Sequence, residues 1–343
     1  MQVLVAMSGG VDSSVAAALL LEAGHDVVGV TMKLWGGESD RGCCSVSDVD
    51  DARRVAQQLG IDHAVFNFGD DFMREVVGPY IDAHRDGLTP NPCVECNRHL
   101  KFDRLVQRAD LLGFDCIATG HHARVDRDAS GRVHLLRGAD RSKDQSYVLH
   151  MLDQPVLQRV ALPIGSLTKH EVRERADALG LRTATKPDSQ DVCFITASGG
   201  RRDFLGDRIP LHRGRVVDGE GRVVGEVDAV ELVTVGQRRG LGALGSEQRS
   251  YAIAVDVPAA TVVVGGPADL LTDSQALDAI SYVGAPVTGR VLAQCSAHGD
   301  PRSAWLEGST LRWDEPQRRV ARGQSIAFYD LTDTELLGGA TAA

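Results

Sequence analysis

Short apolar runs alternate with amphipathic segments over the first half of the chain. The runs at 3–6, 27–31, 63–68 and 116–119 are rich in β-branched residues and predict buried strands. Segments with helical periodicity lie between them at 11–23, 48–59, 71–85 and 100–112. Gly24, Gly60 and Gly113 stand where three of these helices should end. This alternation predicts an α/β fold, with a parallel sheet covered by helices on both faces.

The second half of the chain has a different pattern of apolar runs and glycines. The sequence Thr-Lys-His-Glu at 168–171 fits a capping box and predicts a helix that ends at Gly180. After roughly residue 197, glycines become frequent and short apolar runs at 215–217 and 261–264 predict strands. Asp218-Gly219 predicts a hairpin turn, and Gly265-Gly266-Pro267 predicts a boundary between small β-rich units. Residues 338–343 are expected to be a frayed tail.

Composition and charge narrow the class of protein. With 343 residues, the chain is expected to form two or three domains. The formal net charge is −10, so contact with a nucleic acid would have to use local basic patches. The apolar runs are shorter than the roughly 20 residues that a membrane helix needs, and no charged segment precedes the first run. These features predict a cytoplasmic protein with no membrane span. Structural disulfides are then disfavoured, and those of the seven cysteines that have a chemical spacing are candidates for catalysis or metal binding.

The string Ser8-Gly9-Gly10-Val11-Asp12-Ser13 stands between a predicted strand and a predicted helix. Its glycines let the backbone turn sharply and approach an anion, which the N–H groups of the helix N-terminus then face. Asp12 would repel a phosphate group, so we expect it to hold a magnesium ion that bridges phosphates. Because no lysine follows the glycines, the string is not a Walker P-loop. It resembles the signature of the PP-loop ATP pyrophosphatases, which implies ATP cleavage between the α and β phosphates but leaves the substrate open.

The cysteines supply a second candidate site. Cys93 and Cys96 form a C-x-x-C sequence flanked by Asn91-Pro92 and Asn97, and Cys193 follows about 100 residues later. Asn97 is a plausible helix N-cap, which would place Cys96 beside the positive end of a helix dipole and favour its thiolate.

Three interpretations of these cysteines stay open. A zinc site usually needs four ligands, with Cys43-Cys44 a weak source of the fourth, and the flanking prolines argue against a thioredoxin-like redox pair. A pair of thiols for sulfur transfer, or a [4Fe–4S] cluster with one open iron, fits three cysteines better. Cys116 and Cys295 are expected to be inert, and no role is assigned to Cys43-Cys44.

With the glycine loop and the cysteines taken together, the chain resembles the bacterial tRNA-specific 2-thiouridylases of the MnmA type along essentially its whole length. The matching segments, in order, are 6–13, Thr89-Pro90-Asn91-Pro92, Cys96-Asn97, Lys101-Phe102, Ala118-Thr119-Gly120-His121, Leu136-Arg137-Gly138, 143–147 (Lys-Asp-Gln-Ser-Tyr), Asp188-Ser189, Cys193-Phe194-Ile195, Gly236-Gln237-Arg238, Gly240-Leu241-Gly242 and Gly323-Gln324-Ser325.

The resemblance implies a PP-loop parallel-sheet domain at 1–197, a small central domain at 198–267 and a C-terminal β-barrel domain at 268–343. It also implies that ATP adenylates the 2-carbonyl oxygen of the wobble uridine in tRNAs for Lys, Glu and Gln. A persulfide then supplies sulfur, and the products are 2-thiouridine, AMP and pyrophosphate. By position, Cys96 is the nucleophile and Cys193 carries the persulfide. The implied partners are tRNA and a cysteine desulfurase or sulfur-relay protein, and the enzyme is expected to be a monomer.

The resemblance also implies binding residues. The positions expected at ATP are Ala6, Met7, Ser8, Gly9, Gly10, Val11, Asp12, Ser13, Met32 and Gly120. The positions expected to bind tRNA are Asn91, Pro92, Cys93, His121, Lys143, Asp144, Gln145 and Gln324. We add Arg238 to the tRNA-binding set, because neighbouring glycines let a phosphate approach the backbone there.

Two positions depart from the family pattern. Cys93 stands where well-known members carry aspartate, and some thiouridylases with cysteine there hold a [4Fe–4S] cluster. Cys93, Cys96 and Cys193 could then be iron ligands, as an alternative to the persulfide route. The Arg-Tyr pair that some members use in the barrel is also absent, and Ala297-His298-Gly299-Asp300 occupies the corresponding stretch.

Two rival functions are also compatible with parts of this sequence. One is a PP-loop ligase or amidotransferase that acts on a small metabolite, which would need no cysteine pair. The other is a non-catalytic iron–sulfur protein that binds RNA without turning over ATP.

Overall fold

A computed structural model describes residues 1–34, 46–188, 192–195, 199–241 and 250–343. Cys43, Cys44, Ser189 and Gly242 lie outside the described residues. Within the described ranges, no helix has both the length and the apolar character required to cross a lipid bilayer.

The first sheet is parallel and has five strands in the order β3-β2-β1-β4-β7. Its strands are β1 (Gln2–Ala6), β2 (Asp26–Lys33), β3 (Asp62–Asn67), β4 (Cys116–Ala118) and β7 (Val160–Ala161). In register, β1 lies between β2 and β4, so that Val5 pairs with both Gly29 and Ala118. Val3 to Val5 are almost fully buried, as expected of a strand covered on both faces. The chain leaves β1 on one side and returns beside it as β4, which makes a topological switch point between β1 and β4.

Helices cover both faces of this sheet. They are α1 (Val11–Glu22), α2 (Val46–Leu59), α3 (Gly69–Phe72), α4 (Gly78–Arg85), α5 (Pro92–Glu95), α6 (Leu105–Leu112), α7 (Gln154–Leu157) and α8 (Lys169–Ala178). π-Helical turns at Met73–Val77 and Cys96–Arg104 join α3 to α4 and α5 to α6. The predicted capping box is confirmed, because Thr168 and Glu171 cap α8 reciprocally. The predicted helix at 48–59 starts at Val46 instead. The predicted helix at 100–112 is the end of a longer helical stretch that starts with α5 at Pro92 and continues through the π-helical turn into α6.

A four-stranded sheet follows, in the order β10-β11-β8-β9. Its strands are β8 (Gly214–Val217), β9 (Val223–Val227), β10 (Tyr251–Asp256) and β11 (Thr261–Gly265), and helix α9 (Gly200–Gly206) precedes them. The predicted hairpin at Asp218-Gly219 is confirmed, since β8 and β9 pair antiparallel around it. The Asp218 carboxylate accepts the backbone N–H groups of Glu220 and Arg222 and so fixes the turn.

The last sheet closes into a barrel. Six strands run in the order β12-β15-β14-β13-β16-β17, and β17 also pairs with β12. They are β12 (Leu271–Tyr282), β13 (Gly289–Gln294), β14 (Arg302–Glu307), β15 (Thr310–Arg318), β16 (Ser325–Tyr329) and β17 (Glu335–Ala342). The α/β fold class with a central unit and a C-terminal barrel is therefore confirmed.

Strand β17 corrects the expectation of a frayed tail at 338–343. Ala340 and Ala342 are buried, and the strand pairs with both β12 and β16. Its small residues allow close approach, because a Cβ at Gly339 would lie 2.4 Å from the His150 ring. The abundance of glycine and alanine at 338–343 predicted an unordered end of the chain. The barrel instead requires small residues in this strand, because its strands approach closely where it closes.

A hairpin of the first segment belongs by pairing to the barrel. Strands β5 (Ala123–Arg127) and β6 (Val133–Arg137) pair with each other, and β6 pairs with β17. The domain limits 1–197, 198–267 and 268–343 therefore stay a prediction, since this hairpin lies in the first range and extends the third sheet.

An ion-pair cluster between the hairpin and the barrel makes a testable contribution to stability. His134 donates to Glu335 over 2.7 Å and faces Asp128 at 3.2 Å. The hydrogen bonds with Glu335 and then Asp128 raise the pKa of His134 above its ordinary value. Because the folded-state pKa is the higher one, this stabilisation is complete below about pH 6.5 and is lost as the pH rises through the folded-state pKa.

We therefore expect His134→Gln to lower the melting temperature by roughly 1 °C at about pH 6, and by less at about pH 8.5. Thermal denaturation of both proteins at the two pH values measures the difference. His170→Gln is the control, because His170 is an exposed residue that faces Glu174 on one helix. If the loss of melting temperature in His134→Gln grew with pH, the stabilisation could not be assigned to the ion pairs of His134.

Candidate active site at the carboxyl edge of the first sheet

The glycine loop between β1 and α1 is held in shape by its own serines. The Ser8 N–H donates to Ser13 Oγ over 3.2 Å, and Ser13 Oγ donates to the Gly10 carbonyl over 3.2 Å. Gly9 has φ +71° and its Cα faces the Asp48 carbonyl, so a side chain there would clash. Gly10 caps α1 without any side-chain acceptor, which leaves the first N–H groups of the helix to an external anion.

The neighbouring strand ends complete the predicted ATP site. Ala6 and Met7 are buried at the end of β1, and Val11 and Ser13 are buried in the first turn of α1. Thr31 on β2 donates to the Met7 carbonyl over 2.8 Å, which places the half-buried Met32 beside the loop. Gly120 follows β4, and a Cβ there would lie 2.6 Å from the backbone nitrogen of Ser13. All three segments meet at the topological switch point, where nucleotides bind in sheets of this kind.

A charged network surrounds Asp12. Lys169 Nζ contacts both Asp12 carboxylate oxygens at 2.8 and 2.7 Å, and His122 Nε2 lies 3.2 Å from one of them. Burial alone would raise the pKa of Asp12, but the bonds with His122 and Lys169 outweigh it and hold the pKa below its ordinary value. Asp12 is therefore a carboxylate whose charge Lys169 neutralises.

The network continues to Asp188. The Asp188 carboxylate accepts from Lys169 at 2.9 Å, Lys143 at 2.9 Å and Arg173 at 2.8 Å. Burial raises its pKa, but the bonds with Lys143 and Lys169 prevail and bring it to about 2. Three cations thus converge beside the glycine loop, at a point where the phosphates of a nucleotide would need positive charge.

Lys186 ties the loop to helix α2. Its Nζ donates to the Gly9 carbonyl at 3.0 Å and contacts Asp48 at 2.6 Å and Asp51 at 2.8 Å. Sequence reasoning missed Lys169, Lys186 and Arg173 as site residues. Lys169 was assigned only to a capping box, because its partner Asp12 is 157 residues away and no local pattern reveals that contact.

The cysteine segment starts differently from the prediction. Asn91, not Asn97, is the helix N-cap, and its side chain accepts the Cys93 N–H at 3.1 Å. Cys93 is consequently the exposed cysteine of the first turn, while Cys96 is buried in the second. The Asn97 side chain is buried and donates to the Val148 carbonyl at 3.0 Å. Cys96 therefore does not lie at the N-terminal end of the helix, and the prediction that an N-cap at Asn97 favours its thiolate is wrong.

Cys96 belongs to a set of packed apolar side chains, which we call the aromatic cluster, and Cys193 packs against this set. It comprises Leu34, Phe68, Phe72, Val76, Val77, Tyr80, Cys96, Leu100, Phe194, Phe204, Leu205 and Ile209. Cys193 is half-buried against it, and the ring of Phe194 lies 5.3 Å from that of Tyr80. Because Leu34 and Phe68 directly follow β2 and β3, the cluster lies at the same edge of the sheet as the glycine loop.

The cysteines that the structure describes do not form a metal-ligand set. Within the described ranges, no group of three or more histidine, cysteine or carboxylate side chains is arranged to hold a metal ion. Cys93, Cys96 and Cys193 therefore do not provide the expected ligands of an iron–sulfur cluster in this conformation. Asp12 fits a magnesium ion no better, because Lys169 already contacts both of its oxygens.

Two predicted tRNA-binding side chains turn inward. His121 is 7% exposed and bonds Thr119 at 2.7 Å, and burial holds its pKa well below its ordinary value. Asp144 bonds Arg137 at 2.7 Å and accepts the Gly138 N–H. The direct contacts expected of these two side chains are therefore not available in this conformation. Gln145 is exposed but accepts the His122 N–H, and Lys143 is partly exposed above Asp188.

The other predicted tRNA-binding residues come from three parts of the chain that meet at Thr89. The Thr89 N–H donates to the Arg322 carbonyl at 2.7 Å, and its hydroxyl donates to Thr234 at 3.5 Å. The segment that carries Asn91, the buried Pro92 and Cys93 is thereby brought beside those of the exposed Arg238 and the half-buried Gln324. Sequence spacing alone could not show this convergence.

Comparison with known proteins gives consistent matches along the whole chain. Family models described as tRNA methyl transferase HUP domain, tRNA methyl transferase PRC-barrel domain and aminomethyltransferase beta-barrel domain match residues 1–197, 202–266 and 289–342. A tRNA-specific 2-thiouridylase MnmA of Chloroflexus aurantiacus is 47% identical, covering 98% of this chain and 97% of that one. One of Mycobacterium leprae is also 47% identical, covering 100% and 99%.

Solved structures resemble the chain more remotely. The U34-tRNA thiolase NcsA from Methanococcus maripaludis, with its [4Fe-4S] cluster, is 18% identical with a TM-score of 0.39, covering 56% of this chain and 61% of that one. A 4-thiouridine synthetase in complex with RNA and ATP is 21% identical with a TM-score of 0.37, covering 56% and 44%.

Proposed function

The chain belongs to the tRNA-specific 2-thiouridylase family, and from this premise we propose that it activates the 2-carbonyl of a tRNA uridine with ATP and inserts sulfur through Cys96 and Cys193. ATP-dependent thiolation of tRNA uridine is its activity. The observation that carries the residue assignment is the common location of the two reactive parts. The glycine loop and the aromatic cluster with both cysteines lie at one edge of one sheet.

Activation requires a charged leaving group to depart. The uridine 2-oxygen attacks the α-phosphorus of ATP, pyrophosphate leaves, and AMP becomes bonded to the base. The N–H groups at the start of α1 would face the phosphates, and Lys169 and Lys143 would balance the charge of pyrophosphate. Both lysines now contact Asp188, so nucleotide phosphates would compete with that carboxylate for them.

Sulfur insertion then uses the two cysteines. A persulfide on Cys193 attacks C2 of the base, and AMP leaves with the former 2-oxygen. The Cys96 thiolate attacks Cys193 Sγ, the S–S bond to the terminal sulfur breaks, and that sulfur stays on the base. The cysteines end as a disulfide, which an external dithiol must reduce before the next turnover. The apolar surroundings of the cluster would exclude water that could hydrolyse the activated base.

Metal-dependent alternatives receive less support. A [4Fe–4S] route would need Cys93, Cys96 and Cys193 to come together, and magnesium at Asp12 would need Lys169 to move. When bound with ATP, magnesium would supply charge neutralisation at the phosphates. No step of the proposal depends on either metal.

The finer assignments belong to the same proposal. The segments that carry Asn91, Arg238 and Gln324 would bind the tRNA near Thr89. Lys143 and Gln145 would bind it close to the glycine loop. The target would be the wobble uridine of tRNAs for Lys, Glu and Gln. A cysteine desulfurase or sulfur-relay protein would supply the sulfur to a cytoplasmic monomer.

Reconstitution tests the proposal. Purified protein, ATP, a persulfide donor, a dithiol and a tRNA transcript with a wobble uridine should yield thiouridine, AMP and pyrophosphate in equal amounts. Mass spectrometry of nucleosides locates the sulfur, and a transcript with cytidine at the wobble position is the control. AMP formation that ignores tRNA, without any thionucleoside, would favour a ligase that acts on a small metabolite instead.

A further inference from the structure

A polar cavity lies where the β5–β6 hairpin meets the barrel. It measures about 370 Å³ and is lined by Arg124, Arg137, Arg141 and the barrel loop Thr332–Asp333–Thr334, together with Gly138 and Ala139. No residue that we assigned to ATP, to sulfur transfer or to tRNA lines it. Three guanidinium groups around one cavity need an explanation in a chain whose net charge is −10.

Arg137 forms the fixed wall of the cavity. Its side chain is 5% exposed and contacts Asp144 at 2.7 Å and Asp333 at 2.6 Å. It also donates to Gln294 at 2.8 Å and lies over the Tyr329 ring at 3.5 Å. Every direction of this guanidinium is occupied, so Arg137 joins the hairpin to the barrel and is not free to bind a ligand.

Arg124 and the exposed part of Arg141 can still reach a ligand, although Arg141 already donates to the carbonyl and the carboxylate of Asp333. Arg124 donates through Nε to the Arg137 carbonyl at 2.8 Å, and the described residues give its guanidinium no carboxylate partner. Arg141 is half exposed and shares Asp333 with Arg137. Arg137 faces the carboxylates of Asp144 and Asp333, and Arg141 faces that of Asp333. The three arginines set against these two carboxylates leave one positive charge, and Arg124 is the arginine without a carboxylate partner among the described residues. The ligand that fits has a single negative charge and several acceptor oxygens.

The cavity is one loop away from the active site. The loop at 138–145 borders both, because Gly138, Ala139 and Arg141 line the cavity while Lys143 contacts Asp188 beside the glycine loop. The Asp140 carboxylate on the same loop accepts the Lys169 N–H at 3.0 Å. A polyanion with a base at the glycine loop could therefore run across residues 138–145 and place a phosphate at Arg124 and Arg141.

We propose that this cavity binds a backbone phosphate of the tRNA, so that the hairpin and the barrel together hold the substrate. The inference rests on the proposed function. It gives the barrel side a contact to tRNA although the Arg-Tyr pair of other members is absent from 297–300. Binding is independent of sequence, because the contact is to the backbone.

Measurement of tRNA affinity against salt tests the cavity. Arg124→Gln should weaken binding of the tRNA transcript by about 5-fold and reduce the slope of log affinity against log salt by about 1. Arg141→Gln should act in the same direction. The matched control is Arg127→Gln, which removes an exposed arginine of the same strand that donates to the Gly131 carbonyl outside the cavity. Melting temperatures of all variants establish that each is folded.

The outcomes separate the two proposals. If the wild type neither binds nor thiolates tRNA, the proposed function fails. If the wild type does both while Arg124→Gln, Arg141→Gln and Arg127→Gln share its affinity and salt slope, the cavity proposal alone is overturned. It is overturned too if Arg124→Gln changes only inhibition by inorganic pyrophosphate, since the cavity would then hold a free anion.

Discussion

Replacing Cys193 by serine should abolish thiouridine formation, by more than about 1,000-fold, while pyrophosphate release and adenylation of the tRNA in a single turnover stay within a few-fold of wild type. A serine oxygen cannot carry a transferable sulfur, so the loss is chemical and not a matter of fit. Cys193 is half-buried against the aromatic cluster and does not belong to the glycine loop, so ATP activation keeps its residues. Nucleoside mass spectrometry and pyrophosphate release, measured on the same reactions, separate the two steps.

The comparison with other cysteines makes this prediction specific. Cys96→Ser should also stop turnover, but a persulfide should still form on Cys193 and be detectable by mass. Cys295→Ser should behave as wild type, because burial raises the pKa of that barrel thiol to about 12 and keeps it protonated. A Cys193→Ser protein that still thiolates tRNA at the wild-type rate would remove Cys193 from the mechanism.

Local features of the site could be predicted from the sequence because local geometry determines them. The glycine loop, the start of α1 and the capping box of α8 each depend on residues within one or two turns of each other. Long-range contacts behaved differently. Lys169 reaches Asp12 across 157 residues, and nothing in its own segment distinguishes it from any solvent-exposed lysine.

The predictions that were wrong also failed because contacts between distant parts of the chain decide the structure there. Asn97 and Asn91 are both acceptable N-caps by composition, and the buried bond from Asn97 to Val148 decides between them. His121 looked like an accessible base contact at a strand end, but packing beside Phe102 buries it. The hairpin of β5 and β6 could not be assigned to the barrel, because its pairing with β17 joins strands about 200 residues apart.

Gly120→Ala should lower the rate of AMP formation by about 100-fold, because it displaces the glycine loop. The added Cβ would lie 2.6 Å from the Ser13 nitrogen and 2.7 Å from the Asp12 carbonyl carbon, so backbone must move. Gly120 does not have a positive φ, so alanine can adopt its backbone conformation and the effect is purely one of contact. The expected loss of folding stability is about 1–3 kcal/mol, which leaves the protein folded at room temperature.

Gly219→Ala is the matched control, because nothing lies within 4 Å of a Cβ there and the backbone again has no positive φ. That variant should keep full activity and gain up to about 1 kcal/mol of stability, since alanine restricts the unfolded chain. Steady-state kinetics should show a raised KM for ATP in Gly120→Ala with tRNA affinity unchanged, which a general loss of folding would not produce. Wild-type kinetics in Gly120→Ala would mean that the glycine loop is not positioned by the end of β4, and the ATP site would have to be placed elsewhere.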